Sequence, residues 1–146
     1  MEVKIEESNL KVVLRVLRVL PEFDQMLQDD FYLEKVGKKE SLMLIATKGH
    51  EIVGCKAGYN RYGDGSFYSW LGGVLPDHRN EGIATILADY QENWAKAHGY
   101  TSIKFKTLNK HRNMLLFSIR NGFSINGLKE KDEIENYKIR LIKQLI

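Results

Sequence analysis

From Val74 to Thr85 the chain reads Val-Leu-Pro-Asp-His-Arg-Asn-Glu-Gly-Ile-Ala-Thr: the end of a strand, a short loop, and a helix opening on Gly82. A helix start leaves its first backbone N–H groups without intrahelical partners, at the positive end of the macrodipole. That makes an anion site, best suited to phosphate. Gly82 places no side chain in the way of a ligand, Ala84 is nearly as small, and Arg79 adds a cation to the same loop.

Two other phosphate motifs fail on these residues. A Walker loop needs Gly-Lys followed by Ser or Thr, and Gly82 is followed by Ile83. A dinucleotide fingerprint needs a third glycine, whereas Gly63-Asp64-Gly65 runs on to Tyr68. What remains is Arg79-x-x-Gly82-x-Ala84 behind Val74-Leu75-Pro76. It resembles the coenzyme A pyrophosphate loop of the GNAT acetyltransferase superfamily, whose pattern is Gln/Arg-x-x-Gly-x-Gly/Ala. The resemblance implies acetyl-CoA or coenzyme A as co-substrate. It assigns cofactor contacts to Val74, Leu75, Arg79, Asn80, Glu81, Gly82, Ile83, Ala84 and Thr85.

The 146 residues suit one domain, 1–146, with a single core. Net charge is only +3, and Lys38-Lys39 is too short a basic run to mark a nucleic-acid surface. No apolar run approaches the ~20 residues of a membrane span. The start, Met1-Glu2-Val3-Lys4, lacks a signal-peptide core. A lone Cys55 excludes an internal disulfide and fits a reducing compartment, so a cytoplasmic location is expected.

Hydrophobic spacing divides the chain into alternating elements. Strands are expected around Val3–Ile5, Leu42–Thr47, Glu51–Tyr59, Ser66–Leu75, Ile103–Thr107, Ile125–Leu128 and Tyr137–Leu145, the last closing the sheet. Helices are expected over Ser8–Leu20, Glu22–Val36, Gly82–His98 and Arg112–Asn121. In the third helix Ile83, Ile86, Leu87, Tyr90, Trp94 and Ala97 share a face, Gly99 stops it, and His98 interacts with its end. This order predicts an α/β domain with a mixed sheet.

GNAT proteins run through the same order. A second resemblance spans Asn113-Met114-Leu115-Leu116 to Asn121-Gly122-Phe123: an Asn, an apolar helix, then Gly-Phe entering a strand. The resemblance implies a GNAT-like central mixed β-sheet of about six to seven strands flanked by about four helices, splayed between strands 4 and 5. It also implies that acceptor specificity lies within residues 1–40.

Gly72-Gly73 interrupts a good strand, as a bulge or a close packing contact would. The resemblance favours a bulge that frees backbone groups near Val74 and Leu75 for the pantetheine arm. A nearby N–H would then stabilise an oxyanion. Asn109 and Asn113 either donate to the cofactor amides or cap a helix. His111 between them has no partner at metal spacing, so no metal is expected and a cofactor contact remains open.

An amine acceptor is mostly protonated at neutral pH, with a pKa near 10.4 for a Lys-like amine, and a base must take that proton. Some relatives carry a Glu on strand 4; here the matching place lies near Tyr68, a poor base. Many carry a Tyr five residues before the Phe of Gly-Phe; here that residue is Ser118, more simply read as a plain helix residue. Tyr59, Tyr62, Tyr68 and Trp70 read as core and half-buried sheet, or as an acceptor pocket with cation–π character. Cys55 reads as a buried structural thiol. Asp24, Asp29, Asp30 and Glu34 read as a solvated helix face.

The sequence thus points to an acetyl-CoA-dependent N-acetyltransferase acting on a primary amine of a small molecule, peptide or protein by direct attack in a ternary complex. The alternative is a non-catalytic acyl-CoA-binding regulatory module, favoured by the missing Glu and Tyr. Acetylation of aminoacyl-tRNA would require a basic face, and none is legible. A homodimer is compatible with the resemblance. The depth near Trp70 and Leu71 would set acetyl against longer acyl donors.

Overall fold

The fold is given by a computed structural model that describes residues 2–146; Met1, the first residue of the N-terminal reading, lies outside them. The elements are β1 (Val3–Glu7), α1 (Leu10–Leu17), α2 (Asp29–Val36), β2 (Ser41–Lys48), β3 (Glu51–Tyr59), β4 (Ser66–Val74), α3 (Ile83–Ala97), β5 (Ser102–Leu108), α4 (Arg112–Arg120), β6 (Ser124–Lys129) and β7 (Lys138–Gln144). Short 3-10 turns cover Pro21–Phe23, Pro76–His78 and Ile134–Asn136. The strands form one seven-stranded sheet in the order β1-β2-β3-β4-β5-β7-β6. Only β4 and β5 pair in parallel. The mixed α/β class and the element order are as expected, except that β7 inserts between β5 and β6 instead of closing an edge.

Two helical stretches are shorter than their spacing predicts. Asn9 caps α1, its Oδ1 accepting from Val12 N at 3.1 Å. The helix buries Leu10, Val13, Leu14, Val16 and Leu17 and stops there; Leu20 then turns inward to the core. The stretch from Glu22 is not one helix but a 3-10 turn, an irregular segment and then α2. Phe23 of the 3-10 turn and Met26 of the irregular segment dip toward the core. The Arg18 guanidinium pins the irregular segment, donating to Leu27 O at 3.0 Å and to Asp29 at 2.6 Å. Asp24 therefore lies off the helix, and Asp29 is spent on an ion pair.

Two apolar layers sandwich the sheet. α1 and α2 pack with Met43, Cys55, Ala57, Tyr59 and Tyr68 on one face. α3 packs with Leu44, Val53, Phe67 and Ile103 on the other. The buried stripe of α3 is Ile83, Leu87, Ala88, Gln91 and Ala95. It is rotated from the expected one: Ile86 is exposed and Ala97 lies outside it. The helix end is as expected, with His98 Nδ1 2.8 Å from Trp94 O and Gly99 at φ 88°.

Close approach, not flexibility, explains Gly58 on β3. A Cβ there would meet Tyr68 O at 2.8 Å and Gln91 Nε2 at 2.9 Å, as well as the Phe67 ring. A backbone carbonyl cannot swing aside as a side chain can. Gly58→Ala should therefore destabilise the fold by about 1–3 kcal/mol. The expected result is a lower urea midpoint at unchanged m-value; an unchanged midpoint would show that β3 and β4 separate freely.

Candidate functional site

β4 and β5 pair through only three residues, Ser66↔Ser102, Phe67↔Ile103 and Tyr68↔Lys104. Beyond that fork each strand keeps its other neighbour, β4 against β3 and β5 against β7. The expected splay between strands 4 and 5 is present. Its bulge is not at Gly72-Gly73. Opposite Ala57 and Gly58 stand Leu71 and Ser69, so Trp70 is the extra residue. Gly72 and Gly73 stay in register with Lys56 and Cys55. Gly73 instead makes room for Leu20, just past the end of α1: a Cβ there would overlap Leu20 Cδ1.

The ladder decides which backbone groups face the cleft. Leu75 N donates to Val53 O at 2.8 Å, so Leu75, Gly73 and Leu71 direct their N–H and C=O toward β3. The alternation of an antiparallel pair then turns those of Gly72 and Val74 toward the side β5 has left. Of the expected pair, Val74 offers its backbone to the cleft and Leu75 does not. Gly72 replaces it.

The loop after β4 is held by ion pairs. Arg79 Nε donates to Val74 O at 3.0 Å, and its guanidinium pairs with Glu22. Lys48 holds the Glu81 carboxylate at 3.0 Å and lowers its pKa, offsetting a negative charge beside the helix start. His78 lies within 3.7 Å of Glu51 and 3.5 Å of Glu81. Asn80 adopts φ 64° and Gly82 φ 82°, the left-handed region that glycine enters without strain. Gly82 caps α3, and a Cβ on it would meet only open space. The first intrahelical bond at this end runs from Ile86 N to Gly82 O at 3.1 Å. The N–H groups of Ile83, Ala84 and Thr85 therefore have no partner within the helix.

Across the cleft, Asn109 and Asn113 stand at the β5–α4 corner. Neither caps α4; that place is His111, which makes no side-chain cap bond. Asn109 Nδ2 donates to Ile134 O at 3.2 Å, tying β5 to the β6–β7 connection. Asn113 is exposed on the first turn of α4. Ser118 is buried, and its hydroxyl donates to Met114 O at 2.7 Å within its own helix.

At the fork, Tyr59 and Tyr68 are core residues meeting edge to face at 5.9 Å, and Trp70 lies 5.0 Å from Tyr59. Burial raises the pKa of both tyrosines, against the nearby Arg61 charge, so each keeps its proton. The protein's own cations already occupy the rings: Arg61 lies 4.9 Å from Tyr68, and Lys104 lies 5.1 Å from Tyr62. Lys104 also holds Asp64 at 2.7 Å and, with the Ser66 hydroxyl and N–H, keeps that carboxyl well below the usual range. A cavity of about 270 Å³ opens here, lined by Tyr62, Tyr68, Lys104, Lys106, Asn126 and Arg140. The last four escaped sequence reading because only strand register brings them together. The alternating Ile103-Lys104-Phe105-Lys106 was the one local signal.

A mixed sheet forked beside its parallel pair, with a glycine-capped helix start at the tip of one prong, defines an acetyltransferase-like α/β protein. Residues 13–123 match the Acetyltransferase (GNAT) family, and the chain belongs to it. No curated protein matches the chain. Among solved structures it is similar to an IAA acetyltransferase from Bacillus cereus (TM-score 0.80, 17% identity, covering 99% of this chain and 100% of that one). It is also similar to a GNAT acetyltransferase from Elizabethkingia anophelis with acetyl-CoA bound (TM-score 0.74, 19% identity, 98% of each chain). A third is a Bacillus subtilis acetyltransferase in complex with CoA (TM-score 0.78, 15% identity, 99% and 100%). Among the described residues no cluster is suited to a metal ion, and no helix is long and apolar enough to cross a membrane.

Cys55 faces α1 from β3 and is 1% exposed. Burial pushes its thiol from 9.0 up to about 12. A group whose folded pKa is raised contributes stability that is full below its ordinary pKa and lost as pH rises toward the folded value. Stability should therefore decline between about pH 9 and 12 in the wild type more than in Cys55→Ala. At pH 8 a disulfide reagent should label the native protein only as fast as it opens; immediate labelling would contradict a sealed thiol.

Proposed function

We propose that this chain moves an acetyl group from acetyl-CoA to a primary amine by direct attack in a ternary complex, as a single catalytic domain acting in the cytoplasm. The observation that carries this reading is the continuity of the cleft. The backbone groups of Gly72 and Val74 line one prong, and that prong ends at the open helix start under Gly82. From Tyr68 to Val74 β4 covers roughly 20 Å, a length suited to an extended pantetheine arm.

In this reading the N–H groups of Gly82, Ile83, Ala84 and Thr85 receive the pyrophosphate, with Asn80 and Arg79 at its rim. Glu81, neutralised by Lys48, shapes the loop without opposing the anion. Val74 and Gly72 pair with the pantetheine amides, while Leu75 packs beneath them. Asn109 and Asn113 flank the arm from the β5 side. The neutral amine nitrogen forms a bond to the thioester carbonyl carbon, the C–S bond breaks, and the proton lost by the nitrogen passes to the departing thiolate to give the free thiol. The backbone beside the Trp70 bulge of β4 supplies the N–H for the oxyanion. Tyr68, kept protonated, is suited to donate to developing charge and not to deprotonate an ammonium. Ser118 spends its proton on Met114 O, so placement of the substrates carries more of the rate.

The same two residues support a second reading, a non-catalytic acyl-CoA-binding module. Turnover separates the readings: the module binds acetyl-CoA and releases no thiol with any amine.

Titration calorimetry with acetyl-CoA, with CoA and dephospho-CoA as controls, should show micromolar binding to the wild type. Gly82→Asp should weaken it at least about 100-fold, equivalent to ~2.8 kcal/mol. The uncharged Gly82→Asn, which tolerates left-handed backbone, should lose less. Normal CoA binding by folded Gly82→Asp would remove the loop from the site. Initial-velocity lines for the two substrates should intersect; parallel lines would mean a covalent acyl-enzyme and overturn direct attack.

A further inference from the structure

The helices α1 and α2 cover only the first half of their face of the sheet: none of the apolar residues in that layer comes from β5, β6 or β7. On the uncovered half, strand register assembles a charge pattern. Lys106 stands directly opposite Arg140, Leu108 opposite Lys138, and Lys129 opposite Lys138. Directly opposed residues share a face, and like charges so placed repel. Burial does not compensate, since Arg140, Lys138 and Lys129 are exposed. Lys131, Lys129, Lys106 and Arg61 together lower the pKa of Lys138. Among the described residues neither Lys106 nor Arg140 makes an ion pair, although Lys104 beside them has Asp64. The sheet therefore holds cations that work against its own stability, and such local conflicts occur at functional sites.

Two features seat these cations. Arg140 lies across Gly127 of β6, where a Cβ would overlap the guanidinium, so the missing side chain gives the head its place. The register shift between Ile125 and Gly127 leaves Asn126 unpaired. As a bulge residue its side chain is re-aimed, and it joins Lys106 and Arg140 in the 270 Å³ cavity at the fork.

We infer that this cavity receives an anionic group of the acceptor: the amine acetylated at the fork also carries a carboxylate or a phosphate, bound by Lys106, Arg140 and Asn126. This rests on the acetyltransferase reading above. Guanidinium and ammonium donors bind either anion by charge-assisted hydrogen bonds. A free cationic amine is repelled by the same field, and the Tyr68 and Tyr62 rings that line the cavity already carry Arg61 and Lys104. Once the acceptor is anchored by its anion, the surrounding positive charge disfavours the ammonium form and favours the neutral nucleophile. That lightens the task of the missing base. The volume suits a compact molecule.

The test uses two matched pairs, O-phosphoethanolamine with ethanolamine and glycine with glycinamide, titrated into the protein with and without saturating CoA. At least one member that carries the acid group should bind about 10- to 100-fold more tightly than its partner that lacks it; which pair responds tells phosphate from carboxylate. In Lys106→Gln/Arg140→Gln that preference should vanish, CoA affinity should stay, and the melting temperature should hold or rise as repulsion is relieved. Gly127→Ala should weaken the preference by displacing Arg140. Equal binding of both members, no binding by any of the four, a preference that survives the double substitution, or a fall in its melting temperature would each overturn the assignment. So would total tRNA displacing O-phosphoethanolamine from the wild type at far lower concentration, which would assign the face to RNA. CoA binding is read in the same titrations, so failure of the cofactor reading is seen separately.

Discussion

β4 leaves β5 because it is bound more firmly on its other side. Three residue pairs join it to β5, whereas six register it against β3. The bulge at Trp70 comes two residues past the last β4–β5 pair, and a bulge bends its strand and increases the local twist. Trp70 is anchored in that bend by Tyr59 and by Tyr32 of α2, at 5.0 and 5.8 Å. β5 cannot follow, being held by seven pairs to β7. The cleft is thus a consequence of unequal strand pairing, and its β4 wall is backbone that β5 no longer pairs.

The tip of β4 depends on charge more than on apolar packing. Pro76 to Gly82 contributes no buried hydrophobic residue, so the loop has little to hold it but its ion pairs. Arg79 links the 3-10 turn of Pro21–Phe23 to the end of β4, and Lys48 brings in Glu81 from the β2–β3 hairpin. These contacts are half-exposed, and single exposed pairs are individually weak. Together they fix where the left-handed residues Asn80 and Gly82 fall, and so where the helix start points.

How much of this was legible follows from how local each feature is. The Arg79–Ala84 loop could be read because a helix start, a glycine and a cation within one turn are sequence neighbours. The strands and the stop at Gly99 were legible for the same reason. Gly72-Gly73 is not legible in this way: two adjacent glycines suggest a bulge, but whether Gly73 faces empty space or Leu20 depends on where the segment after α1 docks. Glu22–Val36 has enough apolar residues to look helical, yet Phe23 and Met26 serve the core from a 3-10 turn and an irregular segment that Arg18 pins from outside the stretch. Ser118 showed its position and not that Met114 O takes its proton.

The two halves of the cleft differ in the same respect. The cofactor half is made of backbone groups and a glycine, and these act alike in any chain that reaches the same φ and register. The other half is made of side chains from β5, β6 and β7, whose meeting depends on β7 returning between two strands it follows in sequence. A one-residue slip of β7 would send Arg140 to the opposite face and dissolve the positive cavity, while leaving the fork and the helix start intact. Such a strand arrangement lets the acceptor surface change while the donor surface stays fixed. It also explains how Lys106, Lys129, Lys138 and Arg140, which form no basic run in the sequence, come together on one uncovered face.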